Sequence, residues 1–232
     1  MLFLDPTYLI FMLPAFILMM ITSSYVKSAY NKWSRIQASS RLTGGQAAQR
    51  LLSSSGLYDV RIENVGGHLT DHYDPRKKVL RLSDGVYQSP SVAAVAIAAH
   101  ELGHAMQDHE GYFPLRLRAA LVPMVNIGSY LGWILIFIGI LLKATDLAWL
   151  GVAVFSGGAL FALATLPVEL NASARAKQLL LNAGVIYSPE EQKGVNHVLN
   201  AAALTYVAAL ITAVLQLLYF VFMVLGMGRR DD

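Results

Sequence analysis

Four stretches of the chain run apolar with no charged position: Pro6 to Val26, Ala119 to Leu142, Leu147 to Val168 and Val198 to Gly228, of 21, 24, 22 and 31 residues. A helix needs about 20 such residues to cross the hydrocarbon core of a bilayer, so each predicts a transmembrane span. Pro14 is expected to kink the first. No basic stretch precedes that run and no small-residue cleavage site follows it, which predicts a retained anchor and not a secretory signal.

The pattern changes between these runs. Thr43 can cap a helix through "GGQAAQRLLSSS" that stops at Gly56. "YDVRIENV" alternates as a strand closed by Gly66-Gly67, "DHYDP" reads as a turn, and "KKVLRLS" gives a second short strand around Arg81. Ser89-Pro90 is a helix start, and the helix runs to about Asp108. Its apolar part, Val92 to Ala99, is too short to span a bilayer, so this helix belongs outside the hydrocarbon. A further helix continues or restarts after Pro167, through "LPVELNASARAKQLLLNAG", and ends at Gly184. The expected organisation is therefore a span over residues 6–26, a polar part over 27–118, spans over 119–142 and 147–168, a polar helix within 169–197, and a last span over 198–228.

Composition agrees: 55% hydrophobic and 14% charged is the balance of a membrane protein. There are no cysteines, so disulfides and thiolate ligands are excluded and any transition metal must be held by His, Asp or Glu. Of the 18 basic residues, 12 lie between the first and second runs, against one, Lys143, between the second and third. The positive-inside rule then puts residues 27–118 and 169–197 on the cytoplasmic side of the cell membrane. Arg229 and Arg230 would fall outside, partly offset by Asp231 and Asp232. The basic patch fits topology and contact with anionic lipid, not nucleic acid. The fold class is a mainly α membrane protein with about four transmembrane helices and a small α+β cytoplasmic part.

Chemistry concentrates in "AAHELGHAMQ". His100, Glu101 and His104 form H-E-x-x-H on the predicted helix. Positions four apart share a face about 6 Å apart along the axis, so both imidazoles can reach one ion, and zinc suits them. Glu101, one position on, points beside that ion, where a general base for its water belongs. The alternative, a structural histidine pair on a buried alanine face, would leave two imidazoles and a carboxylate in need of partners. Asp108 is too far along the helix to share the ion. The extended zincin pattern fails, because its glycine and histidine positions hold Gln107 and Glu110 and His109 is out of register. A third ligand must lie on the same side of the membrane, an even number of spans away. Glu169 meets that condition. Glu190 and Glu191, after Ser188-Pro189, read as the solvated first turn of a helix.

"AAHELGHAMQ" together with "LPVELNASARA" resembles the YugP-type neutral zinc metallopeptidases, bacterial membrane proteins, and more distantly the HtpX-type membrane proteases. The resemblance covers nearly the whole chain. It implies a zincin-like cytoplasmic part of gluzincin type, with His100, His104 and Glu169 holding one zinc ion per chain and Glu101 as base. The HtpX type has E-x-x-x-D, but here the last position is Ser173, so Asn171 or another residue must orient a ligand histidine. The expected activity is zinc-dependent endopeptidase cleavage of membrane or membrane-proximal proteins. His197, Tyr206, Arg175, His72 and His68 are candidates for stabilising the oxyanion or contacting substrate, with exposed turn residues the simpler reading of His68 and His72. The strand around Val79 to Leu82 is expected to be an edge strand that holds substrate extended, or else an ordinary strand. The competing function is a metal-binding membrane scaffold without hydrolysis, which would have no use for Glu101.

Overall fold

The structure, a computed structural model, describes residues 6–228; Arg229, Arg230, Asp231 and Asp232 of the charge argument lie outside the described residues. In chain order it consists of α1 (Pro6–Trp33), α2 (Gly44–Ser55), β1 (Arg61–Val65), β2 (His72–Asp74), β3 (Val79–Ser83), α3 (Asp84–Tyr87), α4 (Val92–His109), α5 (Phe113–Leu141), α6 (Thr145–Phe155), α7 (Gly157–Asn182) and α8 (Pro189–Gly228). Among the described residues four segments are long and apolar enough to cross a membrane: Pro6–Trp33, Phe113–Leu141, Thr145–Asn182 and Pro189–Met227. The chain divides into two compact units.

One unit comprises Ser23–Leu115 and Pro167–Leu204. Here α2 forms as its sequence predicts. Thr43 accepts from Gln46 N–H while the Gln46 side chain accepts from Thr43 N–H, and Gly56 closes the helix at φ +71°. The sheet is mixed, in the order β1-β3-β2, with β1 parallel and β2 antiparallel to β3. The strand expected at an edge, Val79 to Leu82, is thus the central one, and the edges are β1 and β2. Its apolar residues explain this: Val79, Leu80 and Leu82 are fully buried, as a strand covered on both edges permits. "DHYDP" gives first a three-residue strand, β2, and then a turn in which Asp74 Oδ1 accepts from the N–H groups of Arg76 and Lys77.

The cap of α4 is Ser91, not Ser89: Ser91 Oγ accepts from Ala94 N–H at 3.2 Å, and Ser89 Oγ donates to it. From there Val92, Ala93, Ala94, Val95, Ala96, Ala98 and Ala99 are all buried, so α4 is a core helix and not a surface one. It joins α2, the sheet and the buried parts of α7 and α8 in one apolar core that includes Trp33, Leu51, Leu80, Leu102, Leu180 and Leu199. Glu191 is buried and not solvated. Its carboxylate accepts from the N–H groups of Ser39, Tyr187 and Ser188, while Ser188 Oγ accepts from Glu191 N–H, a capping box that starts α8.

The other unit holds residues 6–22, 116–166 and 205–228 of the described chain. Its interior is aromatic: Phe220 meets Trp133 and Phe155 edge-on with centroids 4.9 Å apart, and Tyr219 meets Tyr8 at 5.2 Å. Its outer surface is apolar as well, with Ile10, Phe16, Ile127, Tyr130 and Leu141 well exposed. The third predicted run is divided at Ser156 into α6 and α7, just before Gly157-Gly158. α7 then continues through Pro167, and α8 starts at Pro189 and runs without interruption through the fourth apolar run.

Candidate metal centre

The site lies wholly in the polar unit, between α4 and the portion of α7 that follows Pro167. On α4, the four-residue spacing puts the rings of His100 and His104 edge to face, with centroids 4.8 Å apart. Between them in sequence is Gly103. A Cβ there would lie 2.6 Å from Ala172 O, so only glycine lets the backbone of α7 come this close. That approach brings the buried Glu169 against both histidines: its Oε2 is 3.2 Å from His100 Nε2 and 3.5 Å from His104 Nε2.

His100, His104 and Glu169 could hold a metal ion, each offering one donor atom within 4.8 Å of the others. The two spacings at Glu169 fit zinc. Bonds of about 2.0–2.1 Å directed tetrahedrally place neighbouring donors about 3.3 Å apart, close to the two distances at Glu169. Three such donors leave a fourth position for water. Burial works against a positive charge on His104, but its hydrogen bond to Glu169 and the nearby Glu101 and Glu169 charges outweigh this and raise its pKa above the ordinary imidazole value.

Each histidine is supported behind the ring. His104 Nδ1 is 3.0 Å from Gln107 Oε1, and the buried Gln107 amide donates to Val168 O (2.8 Å) and Asn171 Oδ1 (2.9 Å). Asn171 Oδ1 also accepts from Arg175 Nε at 2.7 Å, and Arg175 holds Glu110 through two parallel bonds of 2.6 and 2.7 Å. This pairing holds the Glu110 carboxyl below its usual pKa. Behind His100 stands only Ser173, whose Oγ is 3.2 Å from Nδ1. Ser173 therefore occupies the place that a carboxylate has in E-x-x-x-D, while Asn171 reaches His104 only through Gln107. The sequence reading took Gln107 as a failed zincin glycine. Its spacing three residues after His104, on one helix face, is the signal that could have found it.

Glu101 is held from β2: Tyr73 N–H donates to its Oε2 at 3.1 Å, and the Tyr73 hydroxyl donates to Asp108 Oδ2 at 2.9 Å, two turns along α4. Burial, with Asp108 as bond partner, raises the pKa of that phenol. The remaining candidates are placed as follows. Arg175 is committed to Glu110 and Asn171. Trp33 Nε1 donates to His197 Nδ1 at 2.9 Å, so a neutral His197 carries its proton on Nε2. His72 is exposed beside Thr70 O and Arg81, and His68 meets the Tyr30 ring edge-on. Tyr206 belongs to the apolar unit.

Comparison with known proteins gives two matches. The family model described as "Putative neutral zinc metallopeptidase" matches residues 8–225. A protein of Bacillus subtilis (strain 168), "Putative membrane protease YugP", is 48% identical over 207 residues, covering 89% of this chain and 91% of that protein. No solved structure matches.

Proposed function

Because the chain belongs to this family of neutral zinc metallopeptidases, we propose that it is a multi-pass membrane endopeptidase of gluzincin type, with one zinc ion held by His100, His104 and Glu169 and with Glu101 as general base. The observation that carries this reading is the meeting of three donors within 4.8 Å of one another, Glu169 at 3.2 and 3.5 Å from the two imidazoles, with a carboxylate one position along the same helix.

Zinc bound there would lower the pKa of a water and polarise the scissile carbonyl. The chain's own residues do the rest. Glu101 takes the proton of the attacking water and returns it to the leaving amine. The Tyr73 N–H fixes one Glu101 oxygen and leaves the other to face the water. The buried Glu169 and Gln107 keep the histidines in place through the cycle. The outer edge of β2, not β3, is where an extended substrate would pair, since Tyr73 directs its N–H away from β3 and toward α4.

The substrates are polypeptides presented near the bilayer, such as loops or ends of membrane proteins, and the site faces the cytoplasm of a cell membrane in the sense given by the basic residues between the first two spans. The test compares purified wild-type protein with Glu101→Gln for zinc content and cleavage of an unfolded substrate. Expected is retained zinc with cleavage reduced about 10²–10⁴-fold. Equal cleavage by both would refute the assignment.

A further inference from the structure

We propose that Gln107 is a positioning residue that fixes which nitrogen His104 offers to the metal, and that its own orientation is dictated by Val168 O together with Asn171, whose polarity Arg175 sets. This role rests on the metal centre proposed above. The direction of each hydrogen bond follows from which groups have protons to give. A guanidinium donates and cannot accept, so the Asn171 atom 2.7 Å from Arg175 Nε is an accepting oxygen. The Gln107 atom 2.9 Å from that oxygen must then carry hydrogen, which makes it Nε2.

Val168 O imposes the same choice independently. A backbone carbonyl only accepts, and it lies 2.8 Å from the same nitrogen. With both amide hydrogens engaged, Gln107 presents Oε1 to His104 Nδ1 at 3.0 Å. In a neutral ring Gln107 Oε1 at 3.0 Å from Nδ1 and the Glu169 carboxylate at 3.5 Å from Nε2 compete for one proton; the nearer Gln107 oxygen keeps it on Nδ1, and Nε2 has the lone pair to bind an ion. Reversing the amide would set its oxygen against two acceptors in a site closed to water, since Gln107 is 0% exposed. The amide accepts without charge, so it orients the ring without adding a third anion beside Glu101 and Glu169. His100 has no such determinant, because the Ser173 hydroxyl can donate or accept.

The experiment records the imidazole ¹⁵N signals of metal-free wild-type protein at a pH where His104 is neutral, with His104 assigned by the signals lost in His104→Ala. Nδ1 is expected to be protonated and Nε2 bare. In Gln107→Leu the population shifts toward the Nε2–H form that free histidine prefers, and zinc affinity, measured by competition with a chromogenic chelator, falls about 10–100-fold. Asn171→Asp, which still offers oxygen to Gln107 and Arg175, stays close to wild type. A proton on Nε2 of His104 in the wild type, or a folded Gln107→Leu that binds zinc as the wild type does, overturns the proposal; should Gln107→Leu not fold, the wild-type spectrum decides. Zinc binding that survives both His104→Ala and Glu169→Ala would instead sink the metal centre itself, a failure seen in those variants and not in Gln107→Leu.

Discussion

The two histidines of the site share one carboxylate but are held in different ways. Behind His104 runs a series of four side chains, Gln107, Asn171, Arg175 and Glu110, ending in a two-bond ion pair. Behind His100 there is a single hydroxyl. A ring backed by a buried amide of fixed polarity has one orientation and one tautomer; a ring backed by a rotating hydroxyl is limited mainly by packing. In the metal centre proposed above, the difference would separate two tasks, a fixed anchor and a more adaptable partner.

The contrast can be erased most completely at the residue both rings share. Glu169→Ala should weaken zinc binding by more than about 100-fold, beyond the range for residues that only support a ligand; undiminished affinity in a chelator competition would refute Glu169 as third ligand. Gly103→Ala should strike both rings together by forcing α7 away, since the new Cβ would overlap Ala172 O. We expect a loss of about 1–3 kcal/mol in stability, read from thermal unfolding, with weaker zinc binding alongside. An unchanged unfolding curve would mean that the two helices are not in close contact.

Smaller changes sharpen the comparison. Ser173→Asp should give His100 a carboxylate partner and tighten zinc binding several-fold, bringing the His100 side nearer to the His104 side. Ser173→Ala should weaken zinc binding less than Gln107→Leu does, and the opposite order, measured with the same chelator, would contradict the ranking. Arg175→Lys should have the smallest effect, because Val168 O still orients Gln107 when the two-bond pair with Glu110 is lost.

Local rules made much of this legible in the sequence. The four-residue spacing of His100 and His104 is helix geometry, Thr43 and Gly56 are a cap and a stop, and Glu169 came from the parity of membrane crossings. What escaped depended on contacts between distant segments. β2 was hidden by the turn signals of Asp74 and Pro75, and three residues are too few for alternation to register. Of the two readings of β3, an edge strand or an ordinary one, the sequence does not choose, because strand order is a long-range property; the structure places it in the middle. Glu191 was legible in principle, as the last member of Ser188-x-x-Glu191, but its acidic neighbour Glu190 favoured a solvated turn. The spacing of Gln107 after His104 is legible, but not the polarity of its amide, because the partners that set it, Val168 and Asn171, lie 61 and 64 residues away.

For the endopeptidase proposed above, the shortness of β2 would have a kinetic consequence. In an antiparallel pair, alternate residues turn their N–H and C=O groups outward, so of His72, Tyr73 and Asp74 only Tyr73 faces a guest strand, and with its N–H donated to Glu101 it has the C=O to offer. One main-chain hydrogen bond is worth about 0.5–1.5 kcal/mol, too little to capture a peptide from dilute solution. Turnover would then be governed by encounter frequency. A substrate confined to the same two-dimensional sheet of lipid reaches a local concentration that diffusion in bulk water does not supply.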